Sequence, residues 1–372
     1  MMVKVLVLAN DESTIYNFRR EILEAFVKEG FRVTVCYPLG AHSREIRQTG
    51  CELINMEVNR HGKKVSEDIK LLNAYRQIMK TYDPDIVLTY TVKPNVYGSI
   101  SCQMTHKPYI NNVTGLGSIL QRSGMLSGLV LILQKLAYRK SSCIFFQNQD
   151  DCKKMREYRC VSDRTPTGIL PGSGVNLSQQ AYEPFPENDG VTRFIMVSRI
   201  RRDKGYQEFF EAADRIKREY PSTEFHVVGW YEEDTLKLKV DELKNRDVII
   251  YHGKRTQEEV HGLIKSCSCL VHPSYHEGMA NVLLEAAATG RPVIASKIPG
   301  CREAFEEGVT GYGCESKNAD SLFQAMERMV LTPYEKQVEM GRAGRRKMEK
   351  EFDRNFVAKV YLEKIKEITG GR

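Results

Sequence analysis

The sequence predicts an α/β protein in which parallel strands are buried between helices. Three observations carry this. Apolar runs such as Val3 to Ala9 and Ile86 to Tyr90 read as strands buried on both faces. Helical patterns alternate with them, beginning with a βαβ opening. A polar stretch at 178–190, holding Pro184, Pro186 and Gly190, divides the pattern near its middle and reads as a linker.

In the first half, Val3 to Ala9 is a strand. The loop Asn10 to Ile15 follows, then a helix to Glu29 closed by Gly30, then the strand Phe31 to Tyr37. This is a βαβ opening of ordinary length. A dinucleotide site needs a glycine-rich turn after the first strand. The chain has Asn10-Asp11-Glu12-Ser13 there, which argues against NAD. Tyr16, Phe18 and Arg19 form an aromatic and basic group at the helix start; the plainer alternative makes Phe18 core and Arg19 surface.

A helix at Ser66 to Tyr82 leads to the strand Ile86 to Tyr90. Lys93, Pro94 and Asn95 open the next helix, so that an ammonium and a helix N-terminus could meet an anion together. The strand Tyr109 to Val113 ends in Thr114-Gly115-Leu116-Gly117-Ser118, where two glycines permit close approach of a ligand. Ile119 to Tyr138 is a helix with an apolar middle, Leu126 to Leu136, flanked by Arg122, Lys135, Arg139 and Lys140. It is too short to span a bilayer. Core packing is its plainer reading, and shallow membrane association the sharper one. The strand Ser142 to Gln147, a helix from Asp150 and the strand Thr167 to Leu170 complete the half.

In the second half, the strand Thr192 to Val197 runs into Ser198-Arg199-Ile200 and then Arg201-Arg202-Asp203-Lys204-Gly205, before the helix Tyr206 to Arg218. Arg199 and Lys204 at a strand's carboxyl end suit a diphosphate, one cation bidentate and the other a point charge. The strands Glu224 to Val228 and Val248 to His252 end at Gly229 and at Gly253-Lys254-Arg255-Thr256, where a nucleotide base would be read. Val293 to Ser296 is a strand, Ala319 to Met329 a helix, and Phe352 to Ile368 an amphipathic tail.

The most informative stretch is Val271 to Pro292. The strand Cys269 to His272 ends in Pro273-Ser274, a loop covers Tyr275 to Ala280, and a helix runs from Asn281 to Thr289. Its first residues, Gly278, Met279, Ala280 and Asn281, face the ligand side of an open sheet. Glu277 in the loop and Glu285 in the helix could reach one elongated ligand at separated points. The plain alternative makes Glu277 a cap and Glu285 a surface residue. The apolar neighbours of Glu285 argue against it, because a carboxylate among them is costly unless paired.

Glu277-x7-Glu285, inside PSxxEGxxNVLLEAxAxGxPVIAS, resembles the EX7E motif of the retaining glycosyltransferases of family 4. SRxxxxKG, formed by Arg199 and Lys204, is similar to that family's diphosphate clamp. KPNVYG and TGLGS look like patterns in its members that extend polyprenyl-diphosphate-linked sugars in surface polysaccharide or glycoprotein glycan synthesis. The resemblance implies the GT-B fold, two facing Rossmann-like domains with a cleft between them. The expected boundaries are 1–185 for the acceptor domain and 186–352 for the donor domain, with a last helix at about 353–372 packing back on the first.

It further implies a UDP-sugar donor, an N-acetylhexosamine or hexose, transferred without a metal or other cofactor. Glu277 would bind the sugar hydroxyls and Glu285 the ribose. Arg199, Lys204 and Glu277 are the expected catalytic residues, and Gly229, Lys254 and Thr256 join the donor set. Ser13, Tyr16, Phe18, Arg19, Lys93, Asn95, Thr114, Gly115 and Gly117 are the expected acceptor set. Many family members carry a histidine near Thr114. This chain has none there, and Asn111, Asn112 or Thr114 is expected to substitute.

Composition narrows the compartment and partners. The 372 residues carry a net charge of +7. Residues 1–185 hold 24 Lys and Arg against 17 Asp and Glu, and the remainder holds 31 of each, so the excess is all N-terminal. That suits an anionic partner such as a lipid diphosphate or membrane surface. No nucleic-acid motif accompanies it. Ten scattered cysteines fit buried thiols in a reducing cytoplasm. The expected location is cytoplasmic, peripheral on the inner membrane face. An epimerase of the same architecture, a transferase with a soluble acceptor, and a non-catalytic binder are the competing readings.

Overall fold

The alternating apolar runs assemble into two separate parallel sheets in this computed structural model, which describes residues 2–58, 64–116 and 125–371. The chain divides into two units, residues 1–174 with 354–372, and residues 175–353.

The first unit runs β1 (Lys4–Leu8), α1 (Glu12–Phe18), α2 (Arg20–Lys28), β2 (Arg32–Tyr37), α3 (Ser43–Gln48), β3 (Glu52–Asn55), α4 (Val65–Tyr82), β4 (Ile86–Tyr90), α5 (Ser99–Thr105), β5 (Tyr109–Val113), α6 (Met125–Tyr138), β6 (Cys143–Phe146), α7 (Gln149–Glu157) and β7 (Thr167–Ile169). Its sheet order is β3-β2-β1-β4-β5-β6-β7. Val5, Leu6, Val7 and Leu8 of β1 are all buried, as a central strand covered on both faces requires. Each such side chain contributes about 1.5–3 kcal/mol of burial.

The second unit runs β8 (Thr192–Val197), α8 (Tyr206–Glu219), β9 (Thr223–Val228), α9 (Lys237–Asn245), β10 (Ile250–Gly253), α10 (Gln257–Ser266), β11 (Cys269–His272), α11 (Asn281–Ala288), β12 (Val293–Ser296), β13 (Gly311–Cys314), α12 (Ala319–Leu331) and α13 (Tyr334–Glu351). Its sheet order is β10-β9-β8-β11-β12-β13. The last helix, α14 (Arg354–Thr369), belongs to the first unit and packs on α2. Its Tyr361 lies edge-on to Phe26 and Phe145 in that unit's core.

Residues 178–190 lie along the second unit. Arg291, 1% exposed, gathers the carbonyls of Glu183, Pro184, Lys265, Thr289 and Gly290 with its guanidinium. Five backbone acceptors are thus satisfied by one side chain.

The first helix departs from the sequence reading. It starts earlier, at Glu12, because Asp11 caps it by accepting from the Thr14 amide at 2.8 Å. It also breaks at Arg19, whose φ of −130° leaves the helical region. The break turns the guanidinium inward, over the Tyr90 ring at 4.6 Å and onto the Ser173 hydroxyl. Arg19 is 3% exposed and Phe18 is only half-buried, the reverse of the plainer alternative.

All ten cysteines are buried free thiols. Burial alone pushes the Cys36 thiol up to about 12, so it stays protonated and inert.

Candidate active site

The loops after β8 and β11 meet at the carboxyl edge of the second sheet. Gly205 sits at φ +79°, where a Cβ would come 2.1 Å from the Pro273 carbonyl. Only glycine admits that approach. The Tyr275 amide donates to the Asp203 carbonyl at 2.9 Å and binds the loops together. Gly300, at φ +83°, packs against the Glu277 and Gly278 carbonyls from the other side.

This packing joins Lys204 to Glu277. The ammonium donates to Glu277 Oε1 at 2.5 Å. His272, 2% exposed at the end of β11, places Nε2 2.8 Å from the same oxygen. Oε2 carries no hydrogen bond among the described residues. Burial works to raise the Glu277 pKa, but Lys204 and His272 outweigh it and hold the carboxyl well below the ordinary range. Glu277 is therefore a fixed anion with one oxygen open to a donor.

Helix α11 begins immediately beyond. Its N-cap is Ala280, which makes no side-chain cap, so Glu277 is not the capping residue. The Ala280 amide donates to the Gly300 carbonyl at 2.8 Å. Met279 and Ala280 are buried. Asn281 and Val282 open the helix, where first-turn amides lack an intrahelical acceptor. Asn281 Oδ1 is buried without a partner among the described residues. Glu285 lies one turn on from Asn281, half-buried.

The remaining expected donor residues are arranged differently. Arg199 does not meet Glu277. It donates to Glu232 at 3.0 Å, a carboxylate that Arg201 also reaches at 3.2 Å. Gly229, at φ +157°, packs against the Ser198 carbonyl. The Thr256 hydroxyl is occupied in a capping box with Glu259. Lys254 lies over the Trp230 ring, 5.5 Å from its centroid.

In the first unit the expected acceptor residues scatter. Ser13 lies in the first turn of α1 and donates to Asp11 at 2.5 Å. Tyr16 stacks on His42 with ring centroids 4.0 Å apart. Lys93 is held by Asp68 at 2.8 Å and is not an open ammonium. Asn95 turns inward. It is 3% exposed, accepts from Thr89 at 2.6 Å and donates to the Asn112 carbonyl at 2.9 Å. Asn111 is fully buried against Thr89 and Ser99. Asn112 accepts from Tyr361 at 2.5 Å. Arg19, Asn112, Thr114 and Tyr361 line one small cavity at the carboxyl edge of this sheet. Gly115 has a φ of +124°, and Gly117 lies outside the described residues.

Sequence reasoning missed His272. It sits inside an apolar strand, and nothing in the spacing VHPSYHEG distinguishes a histidine that touches Glu277 from one packed in the core.

The comparisons with known proteins bear on the family and the fold. Residues 179–347 match the family of glycosyl transferases group 1, and residues 4–148 match the glycosyl transferase 4-like family. The N,N'-diacetylbacillosaminyl-diphospho-undecaprenol alpha-1,3-N-acetylgalactosaminyltransferase of Campylobacter jejuni is 25% identical, over 95% of this chain and 96% of its own length. A glycogen synthase of Mycobacterium tuberculosis is 27% identical over 51% of this chain and 47% of its own. Among solved structures, sucrose-phosphate synthase from Thermosynechococcus elongatus superposes with a TM-score of 0.83 at 18% identity, covering 100% of both chains. Anabaena Alr3699/HepE, solved with UDP-glucose, gives 0.79 at 16% identity, over 98% of this chain and 99% of that one.

Proposed function

The chain is a glycosyltransferase of the GT-B type, joining a 4-like domain to a group 1 domain, and we propose that it moves a sugar from a UDP-sugar to a lipid-diphosphate-linked saccharide. The observation that carries the donor half is the ion pair between Lys204 and Glu277 beside the start of α11. HepE, similar in fold, was solved with UDP-glucose, which supports a uridine donor. The Campylobacter jejuni relative is named for a diphospho-undecaprenol acceptor, which supports the lipid-linked one.

In this reading the sugar passes through an oxocarbenium-like state as its bond to the diphosphate breaks. Charge grows on the leaving diphosphate. Lys204 spends one of its protons on Glu277 and keeps two for phosphate oxygens. The first amides of α11 point at the same charge. Arg199 adds a third contribution if the donor draws it from Glu232. Glu277 Oε2 accepts from a hydroxyl of the sugar and fixes its position. Glu285 holds the ribose. By its resemblance to the retaining family, transfer keeps the anomeric configuration; cations and helix amides neutralise the leaving group in place of a metal.

The protein works at the inner face of the cytoplasmic membrane. Helix α6 supports this: Leu129, Ile132 and Leu136 are 52%, 59% and 48% exposed along one stripe, beside exposed Lys135, Arg139 and Lys140. An apolar stripe rimmed by cations suits an anionic lipid surface. Among the described residues no helix is long and apolar enough to cross a membrane.

The test is an assay of UDP-sugars, N-acetylhexosamines and hexoses, against lipid-diphosphate saccharides and soluble saccharides, with product analysis. Release of UDP with a longer lipid-linked glycan is expected. Turnover only with soluble saccharides removes the lipid acceptor. An isomerised nucleotide sugar replaces transfer by epimerisation.

A further inference from the structure

We infer that Trp230 is the platform on which the base of the nucleotide donor stacks. The inference rests on the donor reading above and adds a contact to it.

Trp230 is the single tryptophan of the chain and is 44% exposed. Two neighbouring loops hold its backbone. The Ile200 amide donates to the Trp230 carbonyl at 2.8 Å, and the Gly229 amide donates to the Gly253 carbonyl at 2.9 Å. Gly229 has no room for a side chain, since a Cβ would stand 1.9 Å from the Ser198 carbonyl. The indole is therefore carried on a fixed loop and presented to solvent.

Its place along the sheet matches the length of the ligand. The strand order β9-β8-β11 puts the exits of Trp230, Lys204 and Glu277 side by side. Neighbouring strands are about 4.8 Å apart, so the exits of β9 and β11 are about 10 Å apart. A nucleoside diphosphate held by its phosphates at Lys204 extends its ribose and base over such a span. Trp230 offers an exposed aromatic surface there, while Tyr231 beside it and Tyr251 of β10 are half-buried against each other. Lys254, 5.5 Å from the ring centroid, attends the same ring and adds a cation beside the base. Arg199, paired to Glu232 two residues after Trp230, flanks it on the phosphate side.

A flat indole stacks any base, so the surface supplies affinity and leaves base identity to edge contacts. The test uses the full chain with UDP, ADP, GDP and inorganic pyrophosphate. Heat of binding is measured by calorimetry, and emission is measured with excitation of the one tryptophan. UDP is expected to bind with heat and to change the Trp230 emission saturably at the same concentration. Pyrophosphate, having no base, leaves emission unchanged. Trp230→Ala weakens UDP binding roughly five- to hundredfold, and Trp230→Phe weakens it less.

UDP heat with unchanged emission overturns the stacking and leaves the donor reading intact. UDP binding to Trp230→Ala at the wild-type affinity does the same. Absence of heat with every nucleotide overturns both. Heat and emission change with ADP or GDP but not UDP support the platform and replace the uridine donor.

Discussion

Lys204 and Glu277, separated by 73 residues in sequence, stand 2.5 Å apart at the carboxyl edge of the second sheet. Their side chains are only 15% and 14% exposed. A pair this enclosed is costly to break from one side, because the remaining charge is left buried. The site is thus charged and rigid before any donor arrives.

Glu277→Ala is expected to lower kcat by about two to three orders of magnitude, the usual cost of removing one preorganised electrostatic contact. Release of UDP from the productive donor measures it. A variant within a factor of two of the parent excludes Glu277 from the chemistry.

His272 touches Glu277 at 2.8 Å and is expected to act through it as a positioning residue. His272→Phe removes the hydrogen bond and is expected to reduce kcat about tenfold or more, with less change in KM for the acceptor. His272→Gln, which can still donate, should recover much of the loss. Equal loss in both variants would point to packing in its place.

The depressed Glu277 pKa fixes the direction of a pH effect. Its pairs contribute fully above the ordinary carboxylate value of 4.5 and fail only as pH falls through the lower folded value. An acid limb of kcat/KM between about pH 5 and 7 therefore belongs to another group. In Lys204→Met the burial that raises the pKa is opposed by His272 alone. The residual activity should then fall off at higher pH than in the parent, which a pH–rate profile of both proteins checks.

Arg291 is predicted to be structural. Arg291→Met removes the guanidinium from the Glu183, Pro184, Lys265 and Gly290 carbonyls, while Thr289 keeps the Glu183 amide, and should cost about 3 kcal/mol or more, read as a lowered melting temperature. Donor affinity measured well below that temperature should stay near the parent's.

The α6 stripe predicts membrane behaviour. Ile132→Glu with Leu136→Glu should reduce sedimentation with vesicles rich in anionic lipid about tenfold or more, since each change removes apolar burial and adds like charge. UDP binding should be untouched. Unchanged sedimentation would assign the stripe another role.

The strands were the most legible part of the chain. Ile86 to Tyr90, Tyr109 to Val113, Cys269 to His272 and Val293 to Ser296 form with the limits their apolar runs imply. Lys204 and Glu277 were expected in one donor set from the resemblance of their motifs, and they meet because both follow strands that pair in the sheet. Side-chain partners were not legible. Arg199 goes to Glu232, and Lys93 to Asp68, since local carboxylates compete for a cation and no periodicity reports them. Arg19 is buried by a helix break that neither glycine nor proline announces. Asn95 opens a helix by sequence, yet a turn of π-helix from Pro94 to Gly98 buries it against β4 and β5.

The second unit enters and leaves at neighbouring points. The Val175 amide donates to the Phe352 carbonyl at 2.8 Å, and Arg354 holds the Gly174 carbonyl at 3.2 Å. Residues 175–353 are thus one uninterrupted insert with paired ends, while the first unit is closed by its own returning helix. On the proposed division of labour, a second unit from another transferase spliced between Gly174 and Arg354 is expected to change the sugar delivered while keeping the molecule that receives it.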